Sequence, residues 1–204
     1  ESDAGGSGVE NITVARFAKA CPRGLLDLKE QLRKASYQPL PVKRVWIPKP
    51  GTMEKRPLGI PVVRDRIVQT ALRMVIEPIF EHRFAEHSYG FRPGRGCKDA
   101  LRRVQVLLDE DYTWIVDADL KGYFDTIPKD RLMSRVAERI ADSRVLALVR
   151  SYLDQGVMEE LTLHEPTERG TPQGAVISPL LANIYLDPLD HSLAEAGVQL
   201  VRYA

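Results

Sequence analysis

Between residues 37 and 61 the chain reads "YQPLPVKRVWIPKPGTMEKRPLGIP", with prolines at 39, 41, 48, 50, 57 and 61. A proline inside a helix removes a backbone donor and clashes with the preceding turn, so no helix can cross this stretch. Val42, Val45 and Ile47 suggest a strand, "KPGTMEKR" a turn, and "PLGIP" a second extended segment. The expectation is a β-hairpin with a basic tip: Lys43, Arg44, Lys49, Lys55 and Arg56.

The segments around the hairpin follow a different period. "RGLLDLKEQLRKAS" places Leu25, Leu28 and Leu32 at helical spacing. "RDRIVQTALRMVIEPIFEHRF" carries a broad apolar stripe of Ile67, Val68, Ala71, Leu72, Val75, Ile76 and Ile79, with Pro78 expected to kink or end it. "YGFRPGRG" is a turn-rich loop, and "CKDALRRVQVLLDE" the next helix. "TWIVDADL" is β-branched and aromatic, which predicts a strand. Two helices follow in "PKDRLMSRVAERIA" and "DSRVLALVRSYLDQG", then a hairpin in "VMEELTLHEPTERG". A helix opens near Ser178-Pro179, with proline at a favoured first-turn position. "VQLVRYA" reads as a strand. Strands and helices mix without βαβ alternation, so the fold class is α+β.

The chain has 204 residues, 44% hydrophobic and 28% charged, enough for a sizeable core. No stretch reaches the apolar length of a membrane span. Two lone cysteines, Cys21 and Cys97, make neither a disulfide framework nor a metal quartet, which fits a reducing cytoplasm. "ESDAGGSG" at the start reads as a flexible leader without fold content. The net charge of +1 hides an asymmetry. Residues 16–103 hold 20 Lys and Arg against 8 Asp and Glu, whereas residues 104–204 hold 9 against 17. A basic lobe suits a polyanion, and an acidic one can hold cations. Clustering on solvated faces would give the same count.

Alternation along "WIVDADL" points Val116, Ala118 and Leu120 one way and Ile115, Asp117 and Asp119 the other. Two carboxylates on one face at a strand end must be solvated, paired or metal-bound. Phosphoryl transfer with two metal ions needs carboxylates held at such a place. Solvated turn formers are the alternative. His82, His87, His164 and His191 show no ligand spacing.

At longer range, "KRVWIPKP…KRPLGIPVVRDRIVQTAL", "SYGFRPGRGCKDAL", "VDADLKGYFDTIPKDRL" and "GTPQGAVISPLLANIYLDPLD" resemble, in order and spacing, the blocks of bacterial group II intron reverse transcriptases, or maturases. The resemblance implies a right-hand polymerase: a leader at 1–11, N-terminal helices and fingers at 12–95, a first palm part at 96–126, fingers again at 127–168 and an incomplete palm at 169–204. It makes Asp119 the catalytic metal ligand, with the Leu120 carbonyl on the same Mg²⁺. Phe124 falls on the gate that excludes a ribose 2′-hydroxyl. Gln173 and Gly174 fall on the loop touching the incoming nucleotide, and Lys49 and Arg56 on the positions gripping its triphosphate. Arg44, Lys55, Arg92 and Arg95 would line the nucleic-acid path. Asp117 has no firm role by this likeness, and Asp125 is expected to cap the helix starting near Pro128.

The family's "Y-x-D-D" block would begin at Tyr203, and its acids are not among these residues. The resemblance therefore implies fingers and an incomplete palm, inactive alone, from an RNA-directed DNA polymerase acting on intron or template RNA, DNA primer and dNTP. An RNA-binding maturase module that does not polymerise, and a fragment that forms a homodimer through bared apolar surface, are the other readings.

Overall fold

The structure is a computed structural model, and it describes residues 6–19, 21–49, 51, 53–160, 162–171 and 174–203. The proline-rich stretch forms the expected hairpin, β1 (Val42–Pro48) against β2 (Lys55–Ile60). Cross-strand neighbours share a sheet face, so the register sorts the hairpin into two sides. Trp46 opposite Pro57 and Pro48 opposite Lys55 lie on one side, with Arg44. Val45 opposite Leu58 and Ile47 opposite Arg56 lie on the other, and Lys49 continues that alternation.

A second hairpin, β3 (Val157–Glu159) and β4 (Thr162–His164), returns from far along the chain. β3 pairs with β1 in parallel, giving a four-stranded sheet in the order β2-β1-β3-β4. On the Arg44 side, Glu159 stitches the strands together. It accepts from the Trp46 indole N–H at 2.7 Å and pairs with Arg44 at 3.4 Å.

Helices α1 (Val14–Lys19) and α2 (Cys21–Arg33) precede the sheet. The others are α3 (Val63–Glu81), α4 (Cys97–Asp109), the single turn α5 (Tyr123–Thr126), α6 (Lys129–Ala137), α7 (Ser143–Leu153) and α8 (Ser178–Glu195). The apolar faces of α3, α6, α7 and α8 meet in one core, which takes Val68, Leu72, Ile76 and Phe80 from α3. It also takes Leu132 and Val136 from α6, Val149 and Tyr152 from α7, and Leu181 and Ile184 from α8. The α3 stripe is narrower than its pattern suggested: Ala71 and Val75 are exposed. Pro78 does not end α3, because it falls on an exposed position of the last turn.

Several expectations need correction. Residues 113–120 form no ladder and are exposed throughout, with Trp114 95% and Val116 92% accessible. A β-prone run becomes a strand only where another strand completes its hydrogen bonds, and none among the described residues does so here. Residues 198–203 likewise make a single parallel bridge, Arg202 to Ser88, rather than a strand. Asp125 does not cap α6: its N-cap is Pro128, without a side-chain bond. Part of the expected leader is packed. Gly8 is buried, and a Cβ there would lie 2.7 Å from the Val62 backbone. Residues 1–5 lie outside the described part.

Candidate active site

The turn after Asp119 is built by glycine. Gly122 has φ 61°, a left-handed conformation that glycine adopts without a Cβ penalty, and it opens α5. Asp117 and Asp119 are exposed. The Leu120 carbonyl already accepts the Tyr123 amide at 3.2 Å, leaving its second lone pair open. Among the described residues no group of three or more His, Cys, Asp or Glu could hold a metal ion. One carboxylate and one carbonyl fall well short of the roughly six oxygens magnesium takes. By themselves these two groups do not make a metal site.

Past the turn, the single-turn helix is anchored in several directions. The Tyr123 hydroxyl donates to the Ala182 carbonyl in α8 at 2.9 Å. Phe124 is half-buried against the core, and its carbonyl accepts the Thr171 amide at 2.7 Å. Gly170 donates to the Ile127 carbonyl at 2.8 Å, and a Cβ on Gly170 would sit 3.1–3.3 Å from the Asp125 backbone. The chain then crosses to the sheet. Gly174, at φ 102°, lies so close to β2 that a Cβ would stand 2.6 Å from the Leu58 side chain and 2.8 Å from the Gly59 carbonyl. Gln173 lies outside the described residues, but Thr171 and Gly174 on either side of it are both anchored.

α3 and α8 set the height of this loop. Gln69 has no exposed surface, and its Oε1 accepts the Val176 amide at 2.8 Å. The buried Thr171 and Ser178 hydroxyls lie 2.7 Å apart. Sequence reasoning missed Gln69 because a glutamine on an apolar stripe carries no signal of its own. The fully buried Asp65 was missed for the same reason.

The expected basic residues divide by their surroundings. Lys49 and Arg56 are exposed on the Leu58 side of the hairpin, the side against Gly174; Lys49 pairs with Glu54 at 2.7 Å and holds that carboxyl below its ordinary range. Arg44 and Lys55 lie on the opposite side. There a cleft of ≈ 650 Å³ runs between the sheet and residues 163–171, with Arg44, Asp125, Lys129 and Arg169 in its walls. Lys129 is buried and meets Asp154 at 3.2 Å. Burial opposes ionisation of Asp154, but hydrogen bonds from Arg150 and Lys129 outweigh it and keep that carboxyl below the usual range.

Arg92 is 6% exposed, and its guanidinium donates to Glu81 Oε1 at 2.9 Å and to the Ala85 and Ser88 carbonyls at 2.8 and 2.7 Å. It braces its own loop. Arg95 is half-buried, donates to the Glu86 carbonyl and lies over the Tyr89 ring. Arg202 closes the same region. It grips Asp190 through Nε and Nη2 at 2.8–3.0 Å and donates to Asn183 and Ser88.

Phe124 is thus hydrogen-bonded to Thr171, and Gly174 is pressed onto the side of the hairpin that carries Lys49 and Arg56. The profile of the family described as "Reverse transcriptase (RNA-dependent DNA polymerase)" matches residues 47–204. The chain belongs to that family. It is 41% identical over 192 residues to Protein YkfC of Escherichia coli (strain K12), covering 92% of this chain and 50% of that protein. It is 40% identical over 173 residues to the group II intron-encoded protein LtrA of Lactococcus lactis subsp. cremoris, covering 85% of this chain and 28% of LtrA. Within the family it therefore sits with the group II intron reverse transcriptases and maturases, and it spans half or less of the length of these relatives. Among solved structures it is similar to a chain of a partial Cas6-RT-Cas1–Cas2 complex, with TM-score 0.56 and 29% identity over 90% of this chain and 32% of that one. No helix among the described residues is long and apolar enough to cross a membrane.

Proposed function

We propose that these residues are the fingers and part of the palm of an RNA-directed DNA polymerase of the group II intron class. One observation carries the reading: the loop at 170–174 is laced to Phe124 at one end and pressed onto the Lys49 and Arg56 side of the hairpin at the other. An incoming dNTP would lie between them. Its triphosphate would meet Lys49 and Arg56, its sugar the Phe124 ring, and its base Gln173 and Gly174. Residues 12–95 and 127–168 would be fingers, and 96–126 and 169–204 palm. The pairing of β3 with β1 supports that division.

Asp119 and the Leu120 carbonyl would hold Mg²⁺ together with donors these residues do not supply. The ion, when bound, activates the primer 3′-hydroxyl and offsets charge on the phosphates. RNA template and DNA primer are the proposed partners.

The test is primer extension on an RNA template by a version extended to the length of its relatives. Asp119→Asn keeps the shape but removes the charge, and is expected to lower kcat by at least about a thousandfold without lowering the melting temperature. A variant as fast as the parent would remove Asp119 from the site. The 204 residues alone are expected to extend no primer.

A further inference from the structure

Phe91 is the least expected residue beside the site. Its φ is 57°, in the left-handed region where a bulky side chain is an outlier and glycine is the ordinary occupant. The residue is 47% exposed, so burial does not compensate. The backbone is held on both sides. The Gly90 carbonyl accepts from Asn183 Nδ2 at 2.9 Å, and the next residue is the buried Arg92, whose guanidinium fastens the loop to Glu81, Ala85 and Ser88. From this clamped backbone the Phe91 ring meets the Phe124 ring in a T-shaped pair, with centroids 6.5 Å apart and planes at 74°.

The geometry points to Phe91 as a positioning residue for Phe124, and so as a determinant of the choice between deoxyribose and ribose. A gate excludes one hydroxyl only if its ring cannot tilt away. Phe124 is flanked by Tyr123, with centroids 5.8 Å apart, and by Phe91. Tyr123 is fastened to α8 through its hydroxyl, so one neighbour is fixed by a hydrogen bond and the other by a clamped, strained backbone. An edge-to-face contact has a preferred angle, which an aliphatic side chain of similar volume does not impose. Backbone strain maintained by its surroundings is characteristic of positions where orientation matters for function. The inference rests on the reading of Phe124 as the gate.

Single-nucleotide addition of dNTP and of rNTP by the full-length protein tests it, with kcat/KM measured for each. Phe124→Ala is expected to lower the dNTP-to-rNTP ratio by about a hundredfold and Phe91→Leu by roughly tenfold, mainly through faster rNTP addition. Phe91→Tyr keeps an aromatic edge and should restore the parent ratio. In the Phe124→Ala background, Phe91→Leu should add nothing, because it acts through the ring already removed. If Phe91→Leu does not fold, Phe91→Gly, which suits the φ, carries the same comparison. A parent-like ratio in the Phe91 variant while Phe124→Ala shifts it would overturn this inference alone, as would full additivity in the double variant. A parent-like ratio in Phe124→Ala would overturn the gate reading and this inference with it.

Discussion

Asp65 has no exposed surface, and it holds together two parts of the chain distant in sequence. Its Oδ1 accepts from the Tyr37 hydroxyl at 2.6 Å. Its Oδ2 accepts from the Leu40 amide at 2.9 Å and from Gln155 Nε2 at 3.2 Å. Burial pushes its pKa up, while the Tyr37 and Leu40 bonds and the Arg64 charge draw it part of the way back. The stability this carboxyl contributes is full below the unfolded value of about 3.9 and declines as pH rises through the raised folded value. Tyr37→Phe removes a donor from a buried carboxylate, and should cost about 1–3 kcal/mol near pH 7. The loss should be smaller near pH 4, where more of the carboxyl is protonated and its bond to Tyr37 is no longer charge-assisted. Denaturant melts at both pH values check this, and equal losses would mean that Asp65 is not ionised in the fold. The same scale shows how far sequence reaches. Lys49, Arg56 and Phe124 are proposed for the site because long matching strings surround them. Arg92 came from an equally good string, but charge alone does not say whether a guanidinium faces solvent or, as here, backbone carbonyls. Asp65 and Gln69 act only through partners brought in from elsewhere, and a linear pattern does not contain them.

Among the elements around the site, Gly174 has little room to change. At Gly174 both the left-handed φ and the approach of Leu58 and Gly59 oppose a side chain. Gly174→Ala should destabilise the fold by about 1–3 kcal/mol and move the loop off the hairpin. The expected signature in primer extension is a raised KM for dNTP at little change in kcat, since binding surface is lost before chemistry. A parent-like KM would place the loop outside the nucleotide path. Most elements were legible because their signals are local: prolines delimit the hairpin, 3.6-residue periodicity marks α2 and α3, and Ser178-Pro179 marks the start of α8. The two failures, 113–120 and 198–203, share a cause. Strand propensity describes a residue's fitness for a sheet, and only a neighbouring strand makes it one. The parallel pairing of β1 with β3 was equally invisible, because parallel strands lie far apart in sequence.

For the molecule as a whole, the charge asymmetry makes a measurable claim. With Arg92 and Arg95 engaged in their own loop, the hairpin cations Arg44, Lys49, Lys55 and Arg56 are the expected phosphate contacts. Four such contacts would weaken binding to a structured RNA by on the order of 100-fold between about 50 and 200 mM salt. Replacing the four together should remove most of that dependence. An affinity indifferent to salt in the parent would show that the basic half does not meet RNA.

The β1–β3 pairing also sets an order of events on the ribosome. β1 and β2 can close as a hairpin soon after they emerge, but the partner of β1's other edge begins at Val157. At about 5–20 residues per second, the intervening hundred or so residues take on the order of 5–20 s to synthesise. Throughout that interval the nascent chain carries an open strand edge, a template for pairing with any other extended segment. Ribosome stalling between residues 60 and 157 should therefore leave a species more prone to aggregation than one stalled after residue 164 has emerged, when the β1 edge is covered.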